Sequence, residues 1–123
     1  MRIWLDDIRH IPKGFDLWFK NGKDLLDYIR LGKPITFVSF DHDLGTDHYV
    51  GSYVGEISGY DVASHIEMLA YSNEIPRFEW TVHSANPSGA KRIVMAMNNA
   101  DRYWSEHERR QKSKEDTKQS TNY

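Results

Sequence analysis

The chain has 123 residues, of which 39% are hydrophobic and 28% charged, a composition typical of one folded domain and not of a disordered chain. It contains no cysteine, which excludes disulfide bonds and thiolate metal sites. Its formal net charge of −2 argues against an extended nucleic-acid-binding surface but leaves room for a single phosphate site.

The N-terminal segment predicts a buried strand that ends in acidic residues. Ile3–Leu5 is a short apolar run, and Asp6 and Asp7 follow it directly. These acids come too soon for a signal peptide, and no apolar run approaches the roughly 20 residues that span a bilayer. We therefore expect a cytoplasmic protein with no membrane partner.

A loop, a second strand and a helix are predicted next. Ile8–Gly14 contains a proline and a glycine, which indicate a loop, and Phe15–Phe19 is a short candidate strand. Gly22–Leu31 carries an apolar stripe at helical spacing. Asn21 is suited to cap the start of this helix, and Gly32 is suited to end it.

The middle of the chain contains the clearest strand. Ile35–Phe40 is mostly β-branched or aromatic, and its nearly continuous apolar character suits a strand covered on both faces. The sequence Asp41–Asp43 follows at once. Leu44–Gly59 is rich in glycine and is predicted to be a long loop, in which His48 and Tyr49 could close over a ligand.

The C-terminal half predicts a helix, a last strand and a final helix. The helix covers Tyr60–Tyr71, the strand Phe78–Val82, and the final helix runs from Pro87 to about Glu108. Arg109–Tyr123 is polar and lacks periodicity, so we expect a disordered tail. The predicted organisation is one domain over residues 1–108 and a tail over residues 109–123.

The alternation of strands and helices predicts an α/β fold with a mainly parallel sheet of about four strands. Right-handed crossovers place the carboxyl ends of such strands at one edge, where open α/β sheets bind their ligands. The polar residues that follow the predicted strands at this edge are Asp6, Asp7, Asp41, His42, Asp43, His83, Ser84 and Asn86.

Carboxylates crowded at one edge repel one another unless a cation lies between them. Oxygen-rich sites of this kind suit Mg²⁺ or Mn²⁺, and a bound divalent ion would attract a phosphate. The same residues also have structural interpretations: the acids could form turns, His42 could be a hydrogen-bonded surface histidine, and Ser84 and Asn86 could cap the helix that follows them. Arg9 could contact a phosphate or pair with one of the acids.

Four motifs in this order resemble those of a known family. They are Met1–Arg9, Val38–Gly45, Gly59–Ala63 and Thr81–Pro87. Together they are similar to the cyclic-phosphate-processing receiver domains, a divergent branch of the response-regulator receiver fold found largely in bacteria and their phages. The resemblance covers residues 1 to about 105. It implies a receiver-like, flavodoxin-like fold of three layers with a shortened sheet.

The resemblance also implies roles for individual residues. In ordinary receivers an acidic pair after the first strand holds Mg²⁺, which matches Asp6 and Asp7, and an aspartate after the third strand accepts a phosphoryl group, which matches Asp41. A hydroxyl after the fourth strand binds phosphoryl oxygens, which matches Ser84. Ordinary receivers then have a lysine after a fifth strand. Nothing after Asn86 resembles a fifth strand that ends in lysine.

His42, Asp43 and His83 are additions that a phosphorylation switch does not require. Losing the lysine and gaining imidazoles favours catalysis on a phosphate ligand, or binding of one. We therefore expect a metal-dependent phosphoesterase, a hydrolase or transferase that acts on a cyclic phosphate, such as a cyclic nucleotide or a cyclic-phosphate end, or on a related nucleotide phosphoester. The alternative is a non-catalytic module that binds or sequesters a nucleotide signal or a protein partner. The oligomeric state is left open.

The predicted site assigns three groups of residues. The metal ligands for Mg²⁺ or Mn²⁺ are Asp6, Asp7, Asp41 and Asp43. The catalytic residues are Asp41, His42 and His83, with one of the histidines as general acid or base near neutral pH. The phosphate-binding residues are Arg9, Ser84 and Asn86.

Overall fold

The structure is a computed structural model that describes residues 1–44 and 57–120. Most of the predicted loop between Leu44 and Gly59, with His48 and Tyr49, lies outside the described residues. The described elements, in chain order, are β1 (Arg2–Leu5), β2 (Leu17–Phe19), α1 (Gly22–Arg30), β3 (Phe37–Phe40), α2 (Gly59–Tyr71), β4 (Glu79–Val82) and α3 (Pro87–Ser120). Each predicted element is present, and three of the strands are shorter than predicted.

The four strands form one sheet in the order β2-β1-β3-β4, and every neighbouring pair is parallel. This is the flavodoxin-like strand order without a fifth strand in the described part of the chain. The prediction of a receiver-like α/β fold with about four parallel strands is confirmed. All four strands end at one edge of the sheet.

One face of the sheet packs against the helices. Ile3, Leu5, Val38 and Phe40 are fully buried on this face, because alternate residues of a strand point to the same side. They form one apolar cluster with residues of all three helices. The helical members are Leu25, Leu26, Ile29, Val62, Ala63, Ile66, Leu69, Ala70, Ile93, Ala96, Met97, Ala100 and Trp104.

The opposite face of the sheet carries Trp4, Phe37 and Ser39. Phe15, from the loop between β1 and β2, lies 5.2 Å from Trp4 and 5.8 Å from Phe37 between ring centroids. The guanidinium of Arg2 lies 4.4 Å from the ring centroid of Phe37. Within the described residues a loop therefore covers this face, where the three-layer prediction places helices.

Helix α1 begins and ends as predicted. The side chain of Asn21 accepts a hydrogen bond from the backbone N–H of Asp24 at 2.9 Å, which caps the first turn. Gly32 follows the last turn with a φ of 73°, a left-handed conformation that glycine adopts without a steric penalty.

Helix α3 is longer than predicted. It continues through residues 109–120, so the expectation of a disordered tail from Arg109 is wrong for the part that the structure describes. The segment contains no proline or glycine, and its Glu, Lys, Arg and Gln residues are good helix formers, so nothing in it stops the helix. Residues 109–115 are exposed. The division into a domain ending at 108 and a separate tail stays a prediction.

None of the helices in the described ranges, α3 included, is long and apolar enough to cross a membrane.

Candidate functional site

The edge where the strands end brings Asp6, Asp41 and His83 together. They follow β1, β3 and β4, and one ligand atom of each lies within 4.8 Å of the other two. The last residue of each of these strands packs on the helical side, so strand alternation turns the next residue to the opposite face. The three side chains therefore share the face that no described helix covers, and we call them the edge cluster.

Asp6 is the most tightly held member of the edge cluster and is only 1% exposed. Its Oδ1 accepts hydrogen bonds from the backbone N–H groups of Ile8 at 2.8 Å and Arg9 at 2.7 Å. Its Oδ2 lies 2.9 Å from Nε2 of His83. Burial raises the pKa of Asp6, but these backbone donors and His83 outweigh burial, so the pKa lies below its usual value.

Asp41 is also buried but has fewer donors. Its Oδ1 accepts the backbone N–H of His42 at 2.9 Å. Burial and the nearby charge of Asp6 raise the pKa of Asp41. The hydrogen bond from the backbone N–H of His42 and the charges of His83 and Arg9 offset only part of that rise. The carboxylate repulsion predicted from the sequence is therefore present in the folded chain.

Arg9 lies against the edge cluster with its guanidinium partly exposed. Its Nη1 is 3.2 Å from Oδ2 of Asp6, 3.8 Å from Oδ1 of Asp41 and 3.1 Å from the carbonyl oxygen of His83. The indole N–H of Trp4 donates to the carbonyl oxygen of Arg9 at 3.0 Å and holds this loop in place. Of the two roles open from the sequence, pairing with the acids is the one seen here.

His83 is enclosed by three side chains. Its ring stacks on Trp4 with centroids 3.8 Å apart and planes inclined by 6°. Its Nε2 faces Asp6, and its Nδ1 lies 2.7 Å from Oγ of Ser39. The sequence interpretation missed Trp4 and Ser39. Each stands two residues before an acid of the edge cluster, and strand periodicity places residues two apart on the same face.

His42 and Asp43 form a second pair beside the edge cluster. Nδ1 of His42 lies 2.8 Å from Oδ1 of Asp43, and Asp43 is largely exposed. The His42 ring packs on Gly89 in the first turn of α3, so closely that a Cβ atom at Gly89 would overlap it. A carboxylate that accepts from a ring nitrogen fixes the orientation and tautomer of the imidazole.

Asn86 caps the start of α3, and Ser84 supports the turn that leads into it. Oδ1 of Asn86 accepts the backbone N–H of Gly89 at 3.0 Å, and Oγ of Ser84 accepts the backbone N–H of Asn86 at 3.0 Å. The amide nitrogen of Asn86 lies 3.5 Å from Oδ2 of Asp43. The structure therefore shows the capping role for Asn86, whereas Ser84 holds the turn before the helix. Phosphate binding by these residues stays a prediction that depends on their hydrogen-bond donors.

The edge cluster fits a divalent cation. It offers two carboxylates and one imidazole, a donor set that Mn²⁺ and other divalent metals accept. The raised pKa of Asp41, caused by burial and by Asp6, reflects a repulsion that a cation would relieve. Asp7 is half-buried beside Asp6, but neither it nor Asp43 belongs to this group. Their proposed ligand roles stay predictions.

The chain is similar to a known protein family. A family model described as Cyclic-phosphate processing Receiver domain matches residues 1–99, which include every site residue described above. No curated protein and no solved structure matches the chain.

Proposed function

The chain belongs to the family of cyclic-phosphate processing receiver domains, and from this premise we propose that it binds a cyclic phosphate at the edge cluster and opens its ring by hydrolysis. The observation that carries the proposal is the convergence of Asp6, Asp41 and His83 within 4.8 Å at the edge where the strands end. Open α/β sheets bind phosphate ligands at this edge.

Arg9 is the residue we assign to the phosphate. A cyclic phosphodiester carries one negative charge, and the guanidinium of Arg9 is the cation that lies against the edge cluster. Arginine suits this role because its planar donors match phosphate oxygens. The side chain of Arg9 is 47% exposed, so a ligand can reach it. The hydroxyl of Ser84 and the amide of Asn86 would add donors from the start of α3.

Asp6, Asp41 and His83 would hold Mg²⁺ or Mn²⁺, with Asp7 and Asp43 as further oxygen donors nearby. Such an ion polarises a phosphoryl oxygen and lowers the pKa of bound water. Asp6 is suited to a permanent ligand role, since its lowered pKa, which the N–H groups of Arg9 and Ile8 and the His83 side chain produce against burial, keeps it ionised near neutral pH.

His42 is the residue we assign to proton transfer. If its Nδ1–H donates to Asp43, its Nε2 carries a lone pair that can take a proton from the attacking water. The water oxygen forms a bond to phosphorus, one ring P–O bond breaks, and the departing oxygen gains a proton. No electron transfer is involved. Both ring nitrogens of His83 are already in contact with other side chains, so we assign His83 to the metal ion and not to proton transfer.

The test is a screen of cyclic phosphates with Mg²⁺ or Mn²⁺, read by mass spectrometry. The panel contains 2′,3′-cyclic and 3′,5′-cyclic nucleotides and an oligoribonucleotide with a cyclic-phosphate end. Hydrolysis adds the mass of one water, and we expect it to require the metal and to be lost in Asp41→Asn. Asp27→Asn, an exposed carboxylate of α1, is the matched control. Tight binding with intact recovery of the ligand would replace hydrolysis by the non-catalytic binding function.

A further inference from the structure

Ser39 is a buried polar residue that none of the roles above includes. It lies in β3 between Val38 and Phe40 and is only 2% exposed. A buried hydroxyl is costly unless it is hydrogen-bonded, and its Oγ lies 2.7 Å from Nδ1 of His83. Among the described residues, every buried side-chain nitrogen or oxygen has a hydrogen-bond partner. Removing this hydroxyl would leave Nδ1 of His83 without its contact.

The sheet register places Ser39 where it can act on His83. Ser39 pairs with Trp4 on the neighbouring strand β1, so both side chains lie on the same face of the sheet. Trp4 stacks on the flat side of the His83 ring, while Ser39 and Asp6 contact its two nitrogens. Stacking alone would allow two ring orientations, related by a half-turn about the Cβ–Cγ bond, that exchange the nitrogen and carbon positions. The two polar contacts fix its rotation.

The chemistry of the three groups determines where the proton lies. An ionised carboxylate only accepts hydrogen bonds, so Nε2 of His83 must carry the hydrogen that it donates to Asp6. In a neutral ring Nδ1 then has the lone pair, and the hydroxyl of Ser39 donates to it. If Nε2 instead binds a cation, the proton lies on Nδ1, and Nδ1–H donates a hydrogen bond to the same hydroxyl. A hydroxyl satisfies both states.

We propose that Ser39 is a positioning residue that holds the ring of His83 in the orientation in which Nε2 faces Asp6, so that the Asp6 carboxylate keeps the proton on Nε2 in the metal-free protein. The proposal deepens the proposed function, because His83 is a ligand in that function. The tautomer itself is a property of the folded chain alone and can be measured without ligand or turnover.

The experiment is a long-range ¹H–¹⁵N spectrum of the full metal-free chain at mildly alkaline pH, where an ordinary histidine is neutral. The wild type should show His83 as a single Nε2–H tautomer. In Ser39→Ala the ring should turn about its Cβ–Cγ bond and Nε2 should leave Asp6, so a mixture of tautomers should appear. Ser39→Thr, which keeps the hydroxyl, should restore the single form. Thr36→Val removes a hydroxyl just before β3, on the side away from the site, and should leave the spectrum unchanged.

An identical single tautomer in the wild type and in Ser39→Ala would overturn the proposal, as would a doubly protonated ring in the wild type. If Ser39→Ala does not fold, Ser39→Cys takes its place, because a thiol is a weak hydrogen-bonding group. A wild-type tautomer in Ser39→Cys would then overturn the proposal, and a mixture would support it.

A Mn²⁺ titration of the same variants separates this proposal from the proposed function. Changes around a metal-bound histidine typically weaken metal affinity about 10- to 100-fold, and we expect this loss in Ser39→Ala. If the tautomer changes while the chain binds no Mn²⁺ and hydrolyses no cyclic phosphate, the role of Ser39 stands and the proposed function fails.

Discussion

Asp6 and Asp41 lie in one cluster, but the pKa values of their side chains shift in opposite directions. Burial raises both pKa values. Asp6 accepts two backbone N–H groups and faces His83, whereas Asp41 accepts one backbone N–H and feels the charge of Asp6. Environment, and not residue type, therefore distinguishes a carboxylate that stays ionised from one whose charge is disfavoured.

The first prediction concerns how the raised pKa of Asp41 affects the stability of the fold. Because the raised pKa of Asp41 means that its ionised form costs folding free energy, Asp41→Asn should raise the melting temperature of the metal-free protein at neutral pH. A gain of about 1 kcal/mol would correspond to a rise of roughly 4 °C. The gain should vanish as the pH falls below 3.8, where Asp41 is protonated in both states.

Asp6→Asn is the opposing control. The pKa of Asp6 is lowered because its hydrogen-bond donors outweigh burial, so its charge stabilises the fold above the unfolded pKa and this stability is lost as the pH falls through the folded pKa. The variant should therefore melt at a lower temperature at neutral pH. Melting curves across a pH series would contradict the assignment if both variants shifted in the same direction.

The second prediction separates the two histidines. General acid–base catalysis contributes about 10²–10⁴-fold, so His42→Ala should lower kcat by that order while KM changes only a few-fold. His83→Ala should instead weaken Mn²⁺ binding. Steady-state kinetics and a Mn²⁺ titration on both variants provide the test. A normal kcat in His42→Ala would remove His42 from proton transfer.

At the scale of secondary structure, the start of α3 positions His42. Alanine normally stabilises a helix interior by about 0.5–1 kcal/mol relative to glycine. At Gly89 an added Cβ would overlap the His42 ring and displace it. The third prediction is therefore that Gly89→Ala lowers kcat by a larger free-energy equivalent than the loss in the free energy of unfolding. Thermal melting and kinetics measure both effects. In the His42→Ala background the same substitution should become neutral or stabilising, because the ring it displaces is gone.

The far end of α3 is held by a different set of contacts. Arg77 donates to Glu108 at 3.0 Å and to Ser105 at 2.7 Å, and Trp104 is buried in the core. Beyond these contacts the side chains of residues 109–115 are exposed. Residues 109–115 therefore add helical signal but bury no side chain against the domain.

The fourth prediction is that truncation after Arg110 leaves the melting temperature unchanged and lowers the helical circular dichroism signal. A chain truncated after Tyr103 is the contrasting variant, since it loses Trp104 together with Ser105 and Glu108, which bind Arg77, and should unfold. A large loss of stability in the chain that ends at Arg110 would show that the end of α3 is structural.

At the scale of the whole molecule, the edge cluster links metal binding to folding. A ligand that binds only the folded state stabilises it by about 2.7 kcal/mol at 100 times its Kd. The fifth prediction is that saturating Mn²⁺ raises the melting temperature of the wild type and that Asp41→Asn abolishes this rise. Asp27→Asn should respond like the wild type. An undiminished response in Asp41→Asn would exclude a site shared by the two buried carboxylates.

The sequence by itself determined the elements and the edge where the chemistry lies. Short apolar runs and helical stripes are local patterns, and they predicted every strand and helix that the structure describes. The position of Asp6, Asp41 and His83 directly after strands was enough to predict that they meet, because parallel strands end at one edge. Good helix formers after Glu108 were also visible, but their polarity favoured a disordered tail, and the end of α3 was misplaced.

Only the tertiary structure decided which side chains touch. Trp4 and Ser39 surround His83 because β1 and β3 pair in one particular register, and register depends on packing between distant segments. The approach of Arg9 to both carboxylates, and the contact of His42 with Gly89, depend in the same way on where a loop and a helix dock. Local patterns specify the face on which a residue lies, whereas its neighbours on that face come from other parts of the chain.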